Sequence, residues 1–175
     1  MAKFDRFIQD KILRKIRLKA ILKILNKLPS GTILDMGCMD DYLEKRLPKR
    51  FDYLGIDETP LCKSKNPRIK KIKVEDLSKN KKYDIVMATE VLEHVDDPVS
   101  AMKNMKNLSN RFILISVPNE PFFSMARFFL PAPEHLWTIF PWALEKHLGK
   151  PSFKTKACFN RSYIALWDLK KQPIS

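Results

Sequence analysis

Nowhere in these 175 residues does an apolar run approach the roughly 20 residues that a bilayer-spanning helix requires. The first residues alternate charge with apolar side chains instead of building the core of a secretion signal, so none is expected. Cys38, Cys62 and Cys158 are odd in number, far apart and form no C-x-x-C pair. That spacing speaks against a disulfide framework and a zinc site, and for a reducing compartment, with the cytoplasm as the expectation. Acidic residues are in deficit: 33 Lys and Arg face 20 Asp and Glu, a net charge of +13. Residues 1–28 hold nine Lys or Arg against Asp5 and Asp10, so +7 of that excess sits at the start of the chain. A balance of this kind favours anionic partners such as nucleic acid, lipid headgroups or phosphorylated compounds. Glycine, finally, is missing where a phosphate-binding loop would carry it. In TILDMGCMDDYL (32–43) the turn has Gly37, and then Met39, Asp40 and Asp41.

What remains is the composition of one soluble globular domain, 45% hydrophobic and 30% charged. KFDRFIQDKILRKIRLKAILKILNKL (3–28) reads as a basic amphipathic helix, with Phe4, Ile8, Ile12, Ile16, Ile21, Leu25 and Leu28 as its stripe. Pro29-Ser30-Gly31 ends it. Two readings stand: a helix packed on the domain with a solvated Lys-rich back, or a helix that meets a membrane surface or RNA. Strand signals follow at TILDM (32–36), FDYLGID (51–57), RIKKIKV (68–74), YDIVMAT (83–89) and RFILISVP (111–118). Helices are expected at DDYLEKRL (40–47) and at DPVSAMKNMKNL (97–108), the latter with Pro98 in its first turn. The link from Asp57 to Arg68 carries Pro60 and Pro67, so its helix is expected to shrink to a turn. PWALEKHLG reads as a further helix. SFKTKACF and RSYIALWDL form an antiparallel hairpin about Asn160-Arg161. The sum is a Rossmann-like, doubly wound, mostly parallel sheet of seven strands with an antiparallel C-terminal hairpin. Residues 1–30 are assigned to the helix and 31–175 to the α/β domain, with 119–150 as a lid or substrate insert.

The odd loop constrains the ligand. In an open α/β sheet, ligands bind beyond the carboxyl ends of the strands where strand order reverses. A pyrophosphate needs bare backbone at a helix N-terminus, and Asp40 and Asp41 at an expected helix start would repel it. Asp35, Asp40 and Asp41 suit a cationic ligand such as S-adenosylmethionine, which has a sulfonium, an ammonium and a free ribose diol. Asp57, 20 residues after Gly37, can accept from both ribose hydroxyls, a spacing equally good for NAD. Glu75 and Asp76 fall near the adenine edge. There Asp76 can accept from the exocyclic amine, and the Leu77 backbone can read a ring nitrogen. EDLSKN is also readable as a plain polar loop.

The segments ILDMGC, YLGID, VEDL, YDIVMATEVLEHVDDP, FILISVPNEP and EHLWTIFPWALEKHLG, in that order, resemble the class I S-adenosylmethionine-dependent methyltransferases in their small-molecule branch. EVLEHVDDP is the most specific of them. The resemblance implies that Asp35 and Gly37 form the cofactor turn, with Met36 and Cys38 beside them. It also implies that Asp57 and the adjacent Glu58 hold the ribose, that Asp76 and Leu77 address adenine, and that Glu90 lines the pocket near the methyl. The family's second and third loop glycines are Met39 and Asp41 here, a departure that bears on cofactor affinity.

Methyl transfer asks for alignment and water exclusion rather than a triad or a metal, so no metal is expected. His94 and His135 are candidates for a general base, Glu134 less so. His94 is more readily read as a structural hydrogen-bond partner at a helix start beside Glu93. Phe122, Phe123, Phe128, Phe129, Trp137, Phe140 and Trp142 crowd the insert, which favours an apolar, aromatic or lipid-like acceptor, and with the basic helix one presented at a membrane. Three other functions stay open: RNA methylation, a non-catalytic interaction module of the same fold, and, less favoured, dinucleotide-dependent redox chemistry.

Overall fold

The computed structural model describes residues 2–58, 66–73, 77, 81–120 and 136–171, with backbone alone for 2–11. In chain order the elements are α1 (Ala2–Leu25), β1 (Gly31–Met36), a 3-10 turn (Glu44–Arg46), β2 (Phe51–Asp57), β3 (Ile69–Lys71) and β4 (Tyr83–Thr89). There follow α2 (Pro98–Leu108), β5 (Ser109–Pro118), α3 (Pro141–Leu148), β6 (Phe153–Ala157) and β7 (Ser162–Asp168). The strands make one seven-stranded sheet in the order β3-β2-β1-β4-β5-β7-β6. Neighbouring strands pair in parallel except around β7, which runs antiparallel to both β5 and β6. This is the expected Rossmann-like architecture, with the order reversing between β1 and β4.

Strand alternation sorts side chains onto two faces. Ile33, Ile85, Met87, Phe112, Leu114, Ile164 and Leu166 pack with Leu18, Ile21, Ile24 and Leu25 of α1. Leu34, Met36, Val86, Ala88, Ile113 and Ile115 pack on the other face with Ala101, Met102 and Met105 of α2 and Leu144 and Leu148 of α3. Helix α2 starts where its sequence says it should. The Asp97 carboxylate accepts from the Val99 and Ser100 amides at 2.9 and 3.0 Å, and Pro98 fills the first turn. Helix α3 starts at Pro141 and stops at Gly149, whose φ of 80° a side chain would resist. The Trp167 indole donates to the Gly149 carbonyl at 2.7 Å and ties that end to β7. No helix among the described residues is long and apolar enough to cross a membrane.

Three expectations change. No α-helix follows β1: residues 40–47 give only the 3-10 turn. The Asp40 side chain accepts from the Tyr42 amide at 2.9 Å, a local turn that competes with helix, and Pro48 closes the segment. Strand β3 shortens to three residues, and Val74 lies outside the described ones. The apolar stripe of α1 is rotated: Leu18, Ile21, Ile24 and Leu25 are buried, while Ile12 is 53% exposed and Ile16 half-buried. Within 119–150, residues 121–135 lie outside the described ones. In the described part, Ile139, Leu144 and Leu148 belong to the core.

Candidate functional site

Beyond the carboxyl ends of β1, β2 and β4 the chain makes one compact loop system. The Gly37 and Cys38 amides both donate to the Ile56 carbonyl, at 2.8 and 3.1 Å, and fold the β1 exit towards β2. Gly37 has φ of 73°, and a Cβ there would lie 2.3 Å from Val91 Cγ2. The glycine is required by both conformation and space. Met39 is also left-handed, at φ 63°, and its amide donates to Asp57 Oδ2 at 2.8 Å. The position where a loop glycine was absent therefore still takes the glycine-like conformation, held by the carboxylate that ends β2. Cys38 is buried, its sulfur packed against Gly55, where a Cβ would meet it at 2.7 Å.

The three loop carboxylates are engaged. Asp35 lies on the α1 face of the sheet, 2% exposed, and accepts the Tyr53 hydroxyl on Oδ2 at 2.7 Å. Its Oδ1 is buried with no hydrogen-bond partner among the described residues. Burial is the main reason its pKa rises from 3.8 to about 7, with the Tyr53 bond and Arg14 pulling the other way. Asp40 is gripped by Arg14, whose Nη2 and Nη1 reach Oδ1 and Oδ2 at 2.8 and 3.0 Å. Asp41 pairs with Lys45 at 2.8 Å. The open acidic cradle at a helix start is thus corrected to a charge-balanced one, because α1 supplies the countercharges and no helix follows. A dinucleotide remains disfavoured for a different reason: no helix N-terminus is present there to receive its pyrophosphate.

Glu90 follows β4 in a left-handed conformation, φ 55°, with its amide on the Ser116 carbonyl at 2.9 Å. Ser116 Oγ donates to Glu90 Oε1 at 3.1 Å, and Arg17 of α1 stands 3.7 Å from Oε2. The Arg17 Nε is buried with no hydrogen-bond partner among the described residues. Arg14 and Arg17 are the site residues that the sequence reading missed, since both of its readings turned the cations of α1 outward, to solvent or to a membrane or RNA partner. Arginine in an otherwise Lys-rich segment was the available signal, because a rigid fork suits buried carboxylate recognition better than an ammonium does.

The other expected residues scatter. Met36 is buried among core side chains on the α2 face, so it presents only backbone to the loop. Glu58 is exposed and pairs with Lys73 at 3.1 Å, and Leu77 packs against the core. His94 lies in an exposed turn, with its amide on the Val91 carbonyl, and not at a helix start. Beside it, the Glu93 carbonyl accepts from the Leu136 and Trp137 amides. Asp76, Glu75, Glu134 and His135 lie outside the described residues. Among the described residues no group of three or more potential ligands could hold a metal ion.

A ubiquinone biosynthesis O-methyltransferase of Acinetobacter baumannii (strain AYE) is 33% identical over 107 residues, covering 53% of this chain and 45% of that protein. The mitochondrial protein of the same description from Candida albicans is 32% identical over 153 residues, 75% of this chain and 46% of its own. The chain thus spans less than half the length of these relatives. In fold, it resembles an S-adenosylmethionine-dependent methyltransferase from Clostridium acetobutylicum ATCC 824, with a TM-score of 0.70 at 14% identity over 95% of this chain and 98% of that one. A magnesium protoporphyrin IX methyltransferase from Synechocystis PCC 6803 with bound SAH gives 0.66 at 17% identity over 86% and 80%. The family model described as a methyltransferase domain matches residues 4–161, and the chain belongs to that family.

Proposed function

We propose that this chain binds S-adenosylmethionine and transfers its methyl group to a small or lipid-like acceptor. One observation carries the reading: Arg17 and Glu90 face each other at 3.7 Å beside the left-handed Gly37 turn, and the Arg17 Nε is buried with no hydrogen-bond partner among the described residues. An amino-acid end with one carboxylate and one ammonium matches that pair, the carboxylate to Arg17 and the ammonium to Glu90. The ribose diol suits Asp57, and the adenine ring suits the apolar surface at Leu77. The donor set therefore fits the cofactor, which would supply an electrophilic methyl with a neutral thioether as leaving group. The chain's own work is alignment and the exclusion of water, for which a general base is optional. His94 and His135 remain the proposed bases for an acceptor that must lose a proton. The O-methyltransferase descriptions of the relatives favour a hydroxyl acceptor. Against the non-catalytic alternative stands Met39, which takes the left-handed turn without disrupting the loop.

Calorimetry with S-adenosylmethionine, S-adenosylhomocysteine and NAD tests the reading. Saturating either adenosyl ligand at about 100 times its Kd should raise stability by about 2.7 kcal/mol, and NAD should not. Arg17→Met should weaken adenosyl binding by roughly tenfold or more, the loss of a charge-assisted pair. Absence of adenosyl binding, or equal affinity in the variant, refutes it.

A further inference from the structure

The β6–β7 hairpin ends in a tip that the folded chain holds rigidly and yet leaves in water. Cys158, Phe159 and Asn160 are three consecutive left-handed residues, at φ 55°, 55° and 71°. Asparagine tolerates that region, and phenylalanine does not. The tip is fixed from several sides. Arg161 donates its amide to the Cys158 carbonyl at 3.2 Å, and Asn119 Nδ2 donates to the Asn160 carbonyl at 2.8 Å. The Cys158 thiol donates to the Leu13 carbonyl of α1 at 3.0 Å. Despite this anchoring, the Phe159 ring is 85% exposed, the most exposed large apolar side chain among the described residues.

The ring does not stand alone. Phe159 and Arg161 form one wall of a shallow groove of about 320 Å³, and Ile12 and Leu13 of α1 form the other. At 100° per residue, Ile12, Lys15, Ile16, Lys19 and Lys23 share the outward face of α1, opposite the buried Leu18, Ile21 and Leu25. Lys15, Lys19, Lys23, Lys156 and Arg161 are all exposed, and the sequence from Lys11 to Met39 holds a single acid, Asp35, which is buried. Exposed aliphatic and aromatic side chains set among cations, with no exposed acid from Lys11 to Met39, match an anionic bilayer: the apolar groups enter the acyl boundary and the cations meet the headgroups. An RNA surface would call for several aromatic platforms, whereas among the residues lining this groove Phe159 alone is aromatic and Ile12 and Leu13 offer no face on which a base stacks.

We propose that the outward face of α1 and the Phe159 tip form a docking surface for an anionic lipid bilayer. The surface borders the candidate site directly. Arg14 and Arg17 leave the same helix to reach Asp40 and Glu90, and Phe159 is adjacent to Cys158, whose thiol feels the charges of both Arg17 and Glu90. Docking would therefore turn the carboxyl edge of the sheet towards the membrane. The proposal does not depend on methyl transfer, since it concerns binding alone.

Flotation of the full chain with vesicles tests it, with no cofactor added. The chain should float with phosphatidylcholine–phosphatidylglycerol vesicles and not with phosphatidylcholine alone, and added salt should reduce the bound fraction. Phe159→Ser should weaken partitioning roughly tenfold, as expected for withdrawing one phenyl ring from the acyl boundary. Lys15→Gln with Lys19→Gln should weaken it by about fivefold per charge. Trp142→Ser, on the opposite face of the sheet, should leave it unchanged. Unfolding midpoints matching the parent chain would confirm that the variants are folded. No flotation with the anionic vesicles overturns the proposal, as does equal partitioning of the Phe159 variant. Flotation that poly(U) competes away, with Phe159→Ser neutral, assigns the surface to nucleic acid and overturns it too.

Discussion

Asp35 permits a direct test of how the first strand carries its carboxylate. In the folded chain the group is buried against Tyr53, and its pKa is pushed up from 3.8 to about 7. At pH well below 3.8 both folded and unfolded states hold the proton, and ionisation costs nothing. As pH rises the unfolded chain ionises first and the folded chain lags, so stability falls until the folded group has also ionised, near pH 7, and then levels off. Between about pH 5 and pH 8 the difference integrates to about 2–3 kcal/mol. For a chain of this size that corresponds to a fall of roughly 5–10 °C in the unfolding midpoint. Asp84 and Asp97 shift the other way, held down by hydrogen bonds to their charged forms, and so does Asp168, where burial pushes up but the Arg111 and Lys170 bonds and nearby cations together outweigh it; their contributions are lost only as pH falls below 3.8. They do not contribute slope in the window. In Asp35→Asn the amide oxygen can still accept from Tyr53, and the slope should flatten. Thermal unfolding across this range, followed by circular dichroism for both chains, is the assay. A parent midpoint that holds or rises from about pH 5 to pH 8, or an Asn variant with the parent's slope, refutes the reasoning.

Three further outcomes follow from the loops. Met39→Gly removes a left-handed side chain and should stabilise the fold by about 1 kcal/mol, raising the melting midpoint by a few degrees without weakening adenosyl ligands. Gly37→Ala drives a Cβ into Val91 and into a disfavoured φ, and should cost about 2–3 kcal/mol in denaturant unfolding; adding Val91→Ala should restore part of that loss. Asp57→Ala should act twice: it frees the Met39 amide, lowering the midpoint modestly, and it should weaken S-adenosylmethionine by about tenfold or more in calorimetry.

Much of the architecture was legible because local chemistry and tertiary packing agreed. Asp97 and Pro98 mark the start of α2, Gly149 marks the end of α3, and unbroken apolar runs mark β4 and β5. The segment after β1 misled because Leu43 and Leu47 have helical spacing, while the Asp40–Tyr42 bond diverts the backbone first. Helix α1 carries apolar residues on two opposed faces, so its periodicity identified a helix without saying which face the sheet would take. That same ambiguity hid Arg14 and Arg17. Their partners Asp40 and Glu90 lie 26 and 73 positions away, and only the assembled sheet brings them within reach.

The placement of β7 between β5 and β6 has a consequence for synthesis on the ribosome. Strand β5, with its run of Phe112 to Val117, pairs with the earlier β4 but is complete long before its other neighbour, β7, exists, and β6, though made earlier than β7, has no place beside β5 in the finished order. The growing chain therefore presents an unpaired apolar border until Asp168 has emerged. Ribosome-stalled lengths that end before residue 162 should be the ones that engage holding chaperones, and lengths that expose the whole hairpin should release them.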